Sequence, residues 1–312
     1  MVARDLAIGV DVGGSHISCA TCSLHSGSLV QNSIETTTIN NKGSKEELLF
    51  QFELLLNKCI KNIDVKRLKG IGIAMPGPFD YEKGIGQFSG ENAKFINLNG
   101  VNLKEELERR LELKDIFIRF INDATAFAIG EFLKGKLQGT KRALAITLGT
   151  GLGAAFLANG IPIITGEEVP QDGCIWHLPF DTGIADDYFS TRGLVNRYYQ
   201  KTGVTLNGVK ELAMCAKNDS VAIDVFAEFG ENLIGVLLPW LIKFGVETVV
   251  LGGNISNASH LFHKSMMKRL KKENISVNIE FSDLQESAAF LGSAYLLHDE
   301  FWKAVKEEFK YD

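Results

Sequence analysis

The chain has 312 residues, 45% of them hydrophobic and 23% charged, with a formal net charge of −5. That length suits about two domains, and the balance excludes disordered, collagen-like and coiled-coil classes. Lysines and acids are interspersed without a basic stripe, so nucleic acid is not an expected partner. The five cysteines are an odd number, and Asp5 and Asp11 stand where a secretory leader needs an apolar core; both features point to free thiols in the cytoplasm.

From the N-terminus, Leu6-Ala-Ile-Gly-Val-Asp-Val reads as a strand that meets a Gly13-Gly14-Ser15 turn and returns as a second strand from Ile17 to Leu24. Cys19 and Cys22 fall on opposite faces of that second strand, so the pair reads as packing and not as half a metal or redox motif. Leu29 to Thr38 reads as a third strand. Ser44, with Glu47 three residues on, opens an amphipathic helix to about Ile63. A buried strand from Lys69 to Met75 ends at Pro76-Gly77-Pro78, a short helix covers Lys104 to Leu113, and Ile116 to Ile121 is a further strand. Asn122-Asp123 then opens a helix to about Lys136.

At Ala143 the opening pattern returns. Leu144 to Leu148 is a strand, Gly149-Thr-Gly-Leu-Gly153 a turn, and Ala154 to Leu157 a strand closed by an Asn159-Gly160 hairpin turn. The charge-free run from Ala143 to Gly166 is long enough to span a membrane, but Gly149, Gly151, Gly153, Gly160 and Pro162 break it into short strands, so no membrane partner is expected. Helices follow at about Gly193–Thr202, Ser220–Phe244 and Ala258–Glu273. A strand, Glu247 to Leu251, runs into Gly252-Gly253-Asn254, and a final helix starts near Asp283-Leu-Gln-Glu286 and continues to the C-terminus. The strand, glycine turn and strand that open the chain at Ile8 and return at Leu144 form a weak internal repeat. Two α/β domains are expected, one over residues 1–121 completed by a C-terminal helix at about 290–312, the other over 122–289.

Four motifs carry chemistry. In Asp11-Val-Gly-Gly-Ser15, Gly13, Gly14 and Ser15 let backbone N–H groups face an anion without a Cβ in the way, and Asp11 at the strand end is placed to hold Mg²⁺, directly or through water; a plain glycine hairpin fits the same residues. Gly149-Thr150-Gly151-Leu-Gly153 lacks both the G-x-G-x-x-G spacing and the following helix of a dinucleotide fingerprint. A phosphate-cradling hairpin with the Thr147 and Thr150 hydroxyls remains, beside a purely structural turn. Asn122 or Asp123 is a good helix N-cap, and a carboxylate at a helix N-terminus is also what a general base requires. Gly252, Gly253 and Asn254, at a strand end, give a flat nucleoside access to the backbone, or simply turn the chain.

In this order and at these intervals the four motifs resemble the sugar kinase/actin/heat-shock ATPase superfamily, and within it the repressor–ORF–kinase (ROK) branch of bacterial sugar kinases. The resemblance implies two actin/hexokinase-like (ribonuclease H-like) domains with an interdomain cleft, and an ATP- and Mg²⁺-dependent phosphotransferase acting on an alcohol group, the C6 hydroxyl of a hexose or hexose derivative. It assigns Asp11, Gly13, Gly14 and Ser15 to the first phosphate motif, Gly149, Thr150 and Gly151 to the second, and Gly252 and Gly253 to adenosine. It makes Asp123 the catalytic base, with Asn122 and Gly77 bordering the sugar. The sugar end departs from the family pattern. Gly173-Cys-Ile-Trp-His177 places Cys174 where a sugar-binding glutamate is expected, and the loop with three zinc-binding cysteines is missing. His177 is then a sugar contact or a packed histidine, no zinc site is expected, and the second sugar-binding acid falls on Asp186, or on Asp187 if the register shifts by one. Members of the family are often dimers, so a homodimer is an expected partner state. A non-catalytic sugar-binding regulator on the same fold is the rival reading.

Overall fold

A computed structural model of the chain describes residues 4–90, 94–113 and 115–309. Its contacts divide the chain into two units, residues 1–135 with 286–312, and residues 136–285.

The first unit opens with β1 (Leu6–Val12) and β2 (His16–Ser23), an antiparallel hairpin. The single strand expected from Leu29 to Thr38 is two pieces, β3 (Ser28–Leu29) and β4 (Glu35–Thr38), each paired with β2. Between them Asn32 turns with φ 57°, and Ser33 Oγ takes over the ladder by accepting from Thr21 N at 3.1 Å. The helix α1 (Lys45–Lys61) begins where Ser44 accepts from the Glu47 amide, and its Leu48, Phe52, Leu55 and Cys59 face the sheet. Then come β5 (Leu68–Met75), the small hairpin of β6 (Phe79–Asp80) and β7 (Ile85–Gly86), α2 (Leu103–Leu111), β8 (Phe117–Asn122) and α3 (Asp123–Lys134). The sheet order is β3-β2-β1-β5-β8, with β5 and β8 parallel to β1.

The second unit repeats this plan. Strands β9 (Arg142–Leu148) and β10 (Leu152–Ala158) form its opening hairpin, extended by β11 (Ile161–Ile163). After β12 (Pro179–Phe180), β13 (Gly183–Ile184) and the helical turn α4 (Ala185–Tyr188), the helices α5 (Thr191–Thr202), α6 (Val209–Cys215) and α7 (Ser220–Phe244) lead to β14 (Thr248–Gly252), α8 (Ser259–Lys272) and β15 (Asn278–Phe281). The order β11-β10-β9-β14-β15 again sets two parallel strands beside a hairpin. Phe226, Phe229, Leu233 and Leu237 of α7 lie in a core with Leu144 and Ile146 of β9 and Val249 and Leu251 of β14. Among the described residues no helix is long and apolar enough to cross a membrane.

The chain then returns to the first unit. The expected single C-terminal helix is α9 (Glu286–Tyr295) and α10 (Asp299–Glu308), interrupted because Leu296 and Leu297 turn fully into the core. Helix α9 packs against α3 and against β1 and β5, which is why the division falls after α3 and not near Ile121, where the sequence suggests a boundary. The approach is close enough that a Cβ on Gly292 would lie 1.8 Å from Ala126 O, and one on Gly130 1.9 Å from Ala288 O. On β2, Cys19 Sγ lies 2.9 Å from Cys59 Sγ of α1, whereas Cys22 Sγ meets Phe290 O of α9 at 3.6 Å, so the two thiols do face opposite sides.

Alanine in place of a helical glycine ordinarily gains about 1 kcal/mol. At Gly292 we expect the opposite sign, a loss on the order of 3 kcal/mol, because backbone and not a movable side chain blocks the new methyl. A lowered midpoint in chemical denaturation of Gly292→Ala checks this; an unchanged or raised one contradicts the packing described.

Candidate active site

In the first unit, three parallel strands end side by side. Asp11 on β1 is in register with Ala74 on β5, and Met75 on β5 with Asn122 on β8. The C-terminal ends of parallel strands are where open α/β sheets present ligand-binding groups. Asn122 is the N-cap of α3, its Oδ1 accepting from Thr125 N at 3.2 Å, while its Nδ2 donates to the Tyr81 hydroxyl at 3.3 Å. Tyr81 in turn donates to Met75 O at 3.1 Å, and a Cβ on Gly77 would lie 3.2 Å from the same hydroxyl. Asp123 is the first residue of α3 and its Oδ1 accepts from Ala124 N at 2.9 Å. The capping role thus falls to Asn122 and not to Asp123.

The electrostatics follow from this crowding. Burial, reinforced by the charges of Asp123 and Glu286, pushes the Asp11 carboxyl up to about 7. Burial also raises Asp123, opposed by the Ala124 amide and by the Lys94 ammonium. Gly13, Gly14 and Ser15 form the turn between β1 and β2, closed by Gly13 N donating to His16 O at 2.9 Å, and Asn41 Nδ2 donates to Gly14 O. A Cβ on Gly14 would lie 3.6 Å from Lys94 Nζ. Ser15 Oγ is 3.3 Å from His16 Nδ1, and His16 Nε2 is 3.2 Å from Glu286 Oε1. Sequence reasoning missed Lys94, His16 and Glu286. Local sequence gives none of them a place in the site: Glu286 reads only as part of the helix-start signal Asp283-Leu-Gln-Glu286 and arrives from the far end of the chain at the start of α9.

In the second unit, Thr147 near the end of β9 pairs with Gly252 at the end of β14, and Gly253 turns with φ 82°, so close that a Cβ would lie 2.4 Å from Leu148 O. That approach brings the Gly252-Gly253 turn against the Gly149–Gly153 turn. Gly149 N donates to Gly151 O at 3.0 Å, and Thr150 is exposed at the tip. Asn254 is exposed at the start of a 3₁₀ turn.

The segment carrying the other sequence-predicted residues is tied to the same turn. Cys174 is half-buried with its Sγ 3.4 Å from Asp172 O, and the His177 ring stands edge-on to Trp176 at 5.3 Å. Asp186 N donates to Trp176 O at 3.0 Å and Ala185 N to Leu178 O at 2.8 Å, which sets the 176–178 stretch beside α4. The Asp186 carboxylate accepts from Leu152 N at 2.7 Å and from Arg192 at 3.2 Å. Asp187, the alternative by one residue, accepts from Ile184 N and from Arg192 and is exposed. Where the resemblance has a zinc loop, this chain has the two-residue strands β12 and β13, too short to register in the sequence pattern. Among the described residues no group of three or more His, Cys, Asp or Glu is arranged to hold a metal ion.

Comparison with known proteins places these features in context. The model of the ROK family matches residues 7–300. A glucokinase of Thermotoga maritima is 25% identical, over 94% of this chain and 97% of its own length. An N-acetyl-D-glucosamine kinase of Photobacterium profundum is 26% identical, over 86% and 90%. The crystal structure of a ROK family glucokinase from Streptomyces griseus, in complex with glucose and AMPPNP, matches with a TM-score of 0.75 and 22% identity, covering 93% of this chain and 98% of that one. The α/β, actin/hexokinase-like fold expected from the sequence is the fold these comparisons give.

Proposed function

Because the chain belongs to the ROK family, we propose that it is an ATP- and Mg²⁺-dependent sugar kinase, transferring the γ-phosphoryl group to a hydroxyl of a hexose or hexose derivative, with C6 as the acceptor position. The observation that carries the reading is the Asp123 carboxylate. It stands at the end of β8 on the first turn of α3, with its capping duty taken by Asn122 and its acidity weakened by burial. A carboxylate with a raised pKa is a better proton acceptor near neutral pH than an exposed one.

In this reading Asp123 removes the proton of the acceptor hydroxyl, the oxygen forms its bond to the γ-phosphorus, and the bond to the bridging oxygen of ADP breaks. The Gly13–Ser15 and Gly149–Gly151 turns supply backbone N–H groups to phosphate, and Gly252, Gly253 and Asn254 take the nucleoside. Asn122, Gly77, Cys174 and His177 are assigned to the sugar. Mg²⁺ is suited to Asp11. A single buried carboxylate facing the charges of Asp123 and Glu286 is relieved by a cation, and Mg²⁺ is commonly held by one or two carboxylates, waters and substrate phosphates. When bound it offsets phosphate charge. Five free thiols support a reducing, cytoplasmic setting.

The identity of the sugar turns on Cys174. A thiol is a poor acceptor for sugar hydroxyls beside a carboxylate, so Cys174→Glu is expected to change the ranking of accepted sugars by about 1.5–3 kcal/mol, the worth of a charge-assisted hydrogen bond, while leaving ATP affinity nearly intact. An unaltered ranking removes Cys174 from the sugar site. The function itself is tested by ADP release over a panel of hexoses and N-acylated amino sugars. Sugar-dependent ADP release supports the kinase; sugar binding without turnover supports the regulator.

A further inference from the structure

We infer that Asp186 is a positioning residue of the Gly149–Gly153 turn, holding the turn for phosphate through the Leu152 amide, and is not a sugar contact; this rests on the reading of that turn as a phosphate site. The resemblance assigns Asp186 to the sugar, but the geometry commits both of its oxygens elsewhere. Oδ1 accepts from Leu152 N at 2.7 Å, and Oδ2 accepts from Arg192 Nη2 at 3.2 Å. The first is a short charge-assisted bond, and the second sets the other oxygen against a guanidinium, so each oxygen of Asp186 already has a partner in its own unit. A Cβ on Gly151 would lie 3.1 Å from the same Oδ1, so the carboxylate lies directly against the turn.

The other end of the turn is held from the next helix. Gly149 O accepts from both Thr191 N at 2.8 Å and Thr191 Oγ1 at 2.9 Å. Arg192, the following residue on α5, bridges Asp186 and Asp187 and offsets their charge. Asp186 and Thr191 therefore fix the turn at Leu152 and at Gly149, with Thr150 and Gly151 between the two anchors. A turn fixed before its ligand arrives does not pay ordering entropy on binding. The missing sugar carboxylate at Cys174 then has no substitute at Asp186, so this chain would recognise its sugar without either acid of the family pattern.

Three variants test this, Asp186→Ala, Asp186→Asn and Thr191→Val. In the nucleotide-free protein, hydrogen exchange at the Leu152 amide is expected to rise about tenfold or more in Asp186→Ala and to stay near wild type in Asp186→Asn, whose carboxamide oxygen still accepts. In turnover, KM for ATP is expected to rise about 10- to 100-fold in Asp186→Ala, the loss of one charge-assisted bond. It should rise less in Thr191→Val, with KM for the sugar unchanged in both. A raised sugar KM with ATP KM and Leu152 exchange unchanged overturns the inference. If the wild type phosphorylates no sugar, the proposed function fails, and Leu152 exchange still decides the positioning role: raised in Asp186→Ala upholds it, unchanged in a folded Asp186→Ala overturns it.

Discussion

Asp123→Asn is expected to fold normally, bind ATP with nearly wild-type affinity, and turn over about 10²- to 10⁴-fold more slowly, the usual contribution of general-base catalysis. The stability half of this expectation comes from the structure, since the N-cap of α3 is Asn122 through its bond to the Thr125 amide. A carboxamide at position 123 also keeps an acceptor for Ala124 N and removes a buried charge. The pH dependence follows from the same environment. Burial raises the Asp123 carboxyl above its ordinary value, so the active, ionised form is lost as pH falls through that raised pKa, and the acid limb of kcat/KM should lie above the range of an exposed aspartate. The limb should be missing from the residual activity of Asp123→Asn. A folded variant phosphorylating sugar at the wild-type rate would falsify the assignment of the base.

The second large effect is expected at Asp11, with stability and activity moving in opposite directions. The carboxyl is raised from 3.8 to about 7 by burial and by the charges of Asp123 and Glu286. Between those two values the unfolded chain has already released a proton that the folded chain keeps. Stability therefore falls as pH rises from about 4 to about 7, and the ionised group burdens the fold above pH 7, by a few kcal/mol at most. Asp11→Asn should accordingly melt at a higher temperature than the wild type at pH 8 in the absence of divalent cations, and the gain should shrink toward pH 5. Added Mg²⁺ should raise the melting temperature of the wild type more than that of the variant. Mg²⁺-dependent phosphoryl transfer by Asp11→Asn should fall at least about tenfold. Equal melting temperatures at pH 8, or a variant less stable there than at pH 5 relative to wild type, contradict this account of the Asp11 environment.

Periodic elements with strong end signals were legible from sequence. Helix α7 was expected and is found from Ser220 to Phe244, and Ser44 caps α1 as its spacing to Glu47 implied. The internal repeat proved to be two sheets of the same plan, each a hairpin with two parallel strands added beside it. What was not legible depends on contacts between distant residues. The split of the third strand follows from a Ser33 side chain replacing a ladder bond to Thr21, and the break between α9 and α10 follows from burial of Leu296 and Leu297. Strands of two residues, such as those at 179–180 and 183–184, are too short for any periodicity to register. At the site, the glycine turns and the Asn122-Asp123 pair announce themselves by local composition. Lys94 and Glu286 do not, because each acquires its meaning only from the carboxylates it faces. At Asp186 the place in the motif suggests a sugar, whereas the contacts of its carboxylate, with the Leu152 amide and the Arg192 guanidinium, appear only in the fold.

The central claim, that a phosphoryl group moves from ATP to a sugar hydroxyl with Asp123 as base, is tested most directly by phosphorus NMR of the wild-type protein with ATP, Mg²⁺ and the panel of hexoses and N-acylated amino sugars. The account predicts loss of the γ-phosphate resonance with equal growth of a sugar phosphomonoester, and neither change at a comparable rate with Asp123→Asn. Conversion of the γ-phosphate to inorganic phosphate alone, or no consumption of ATP with any sugar of the panel, would contradict it.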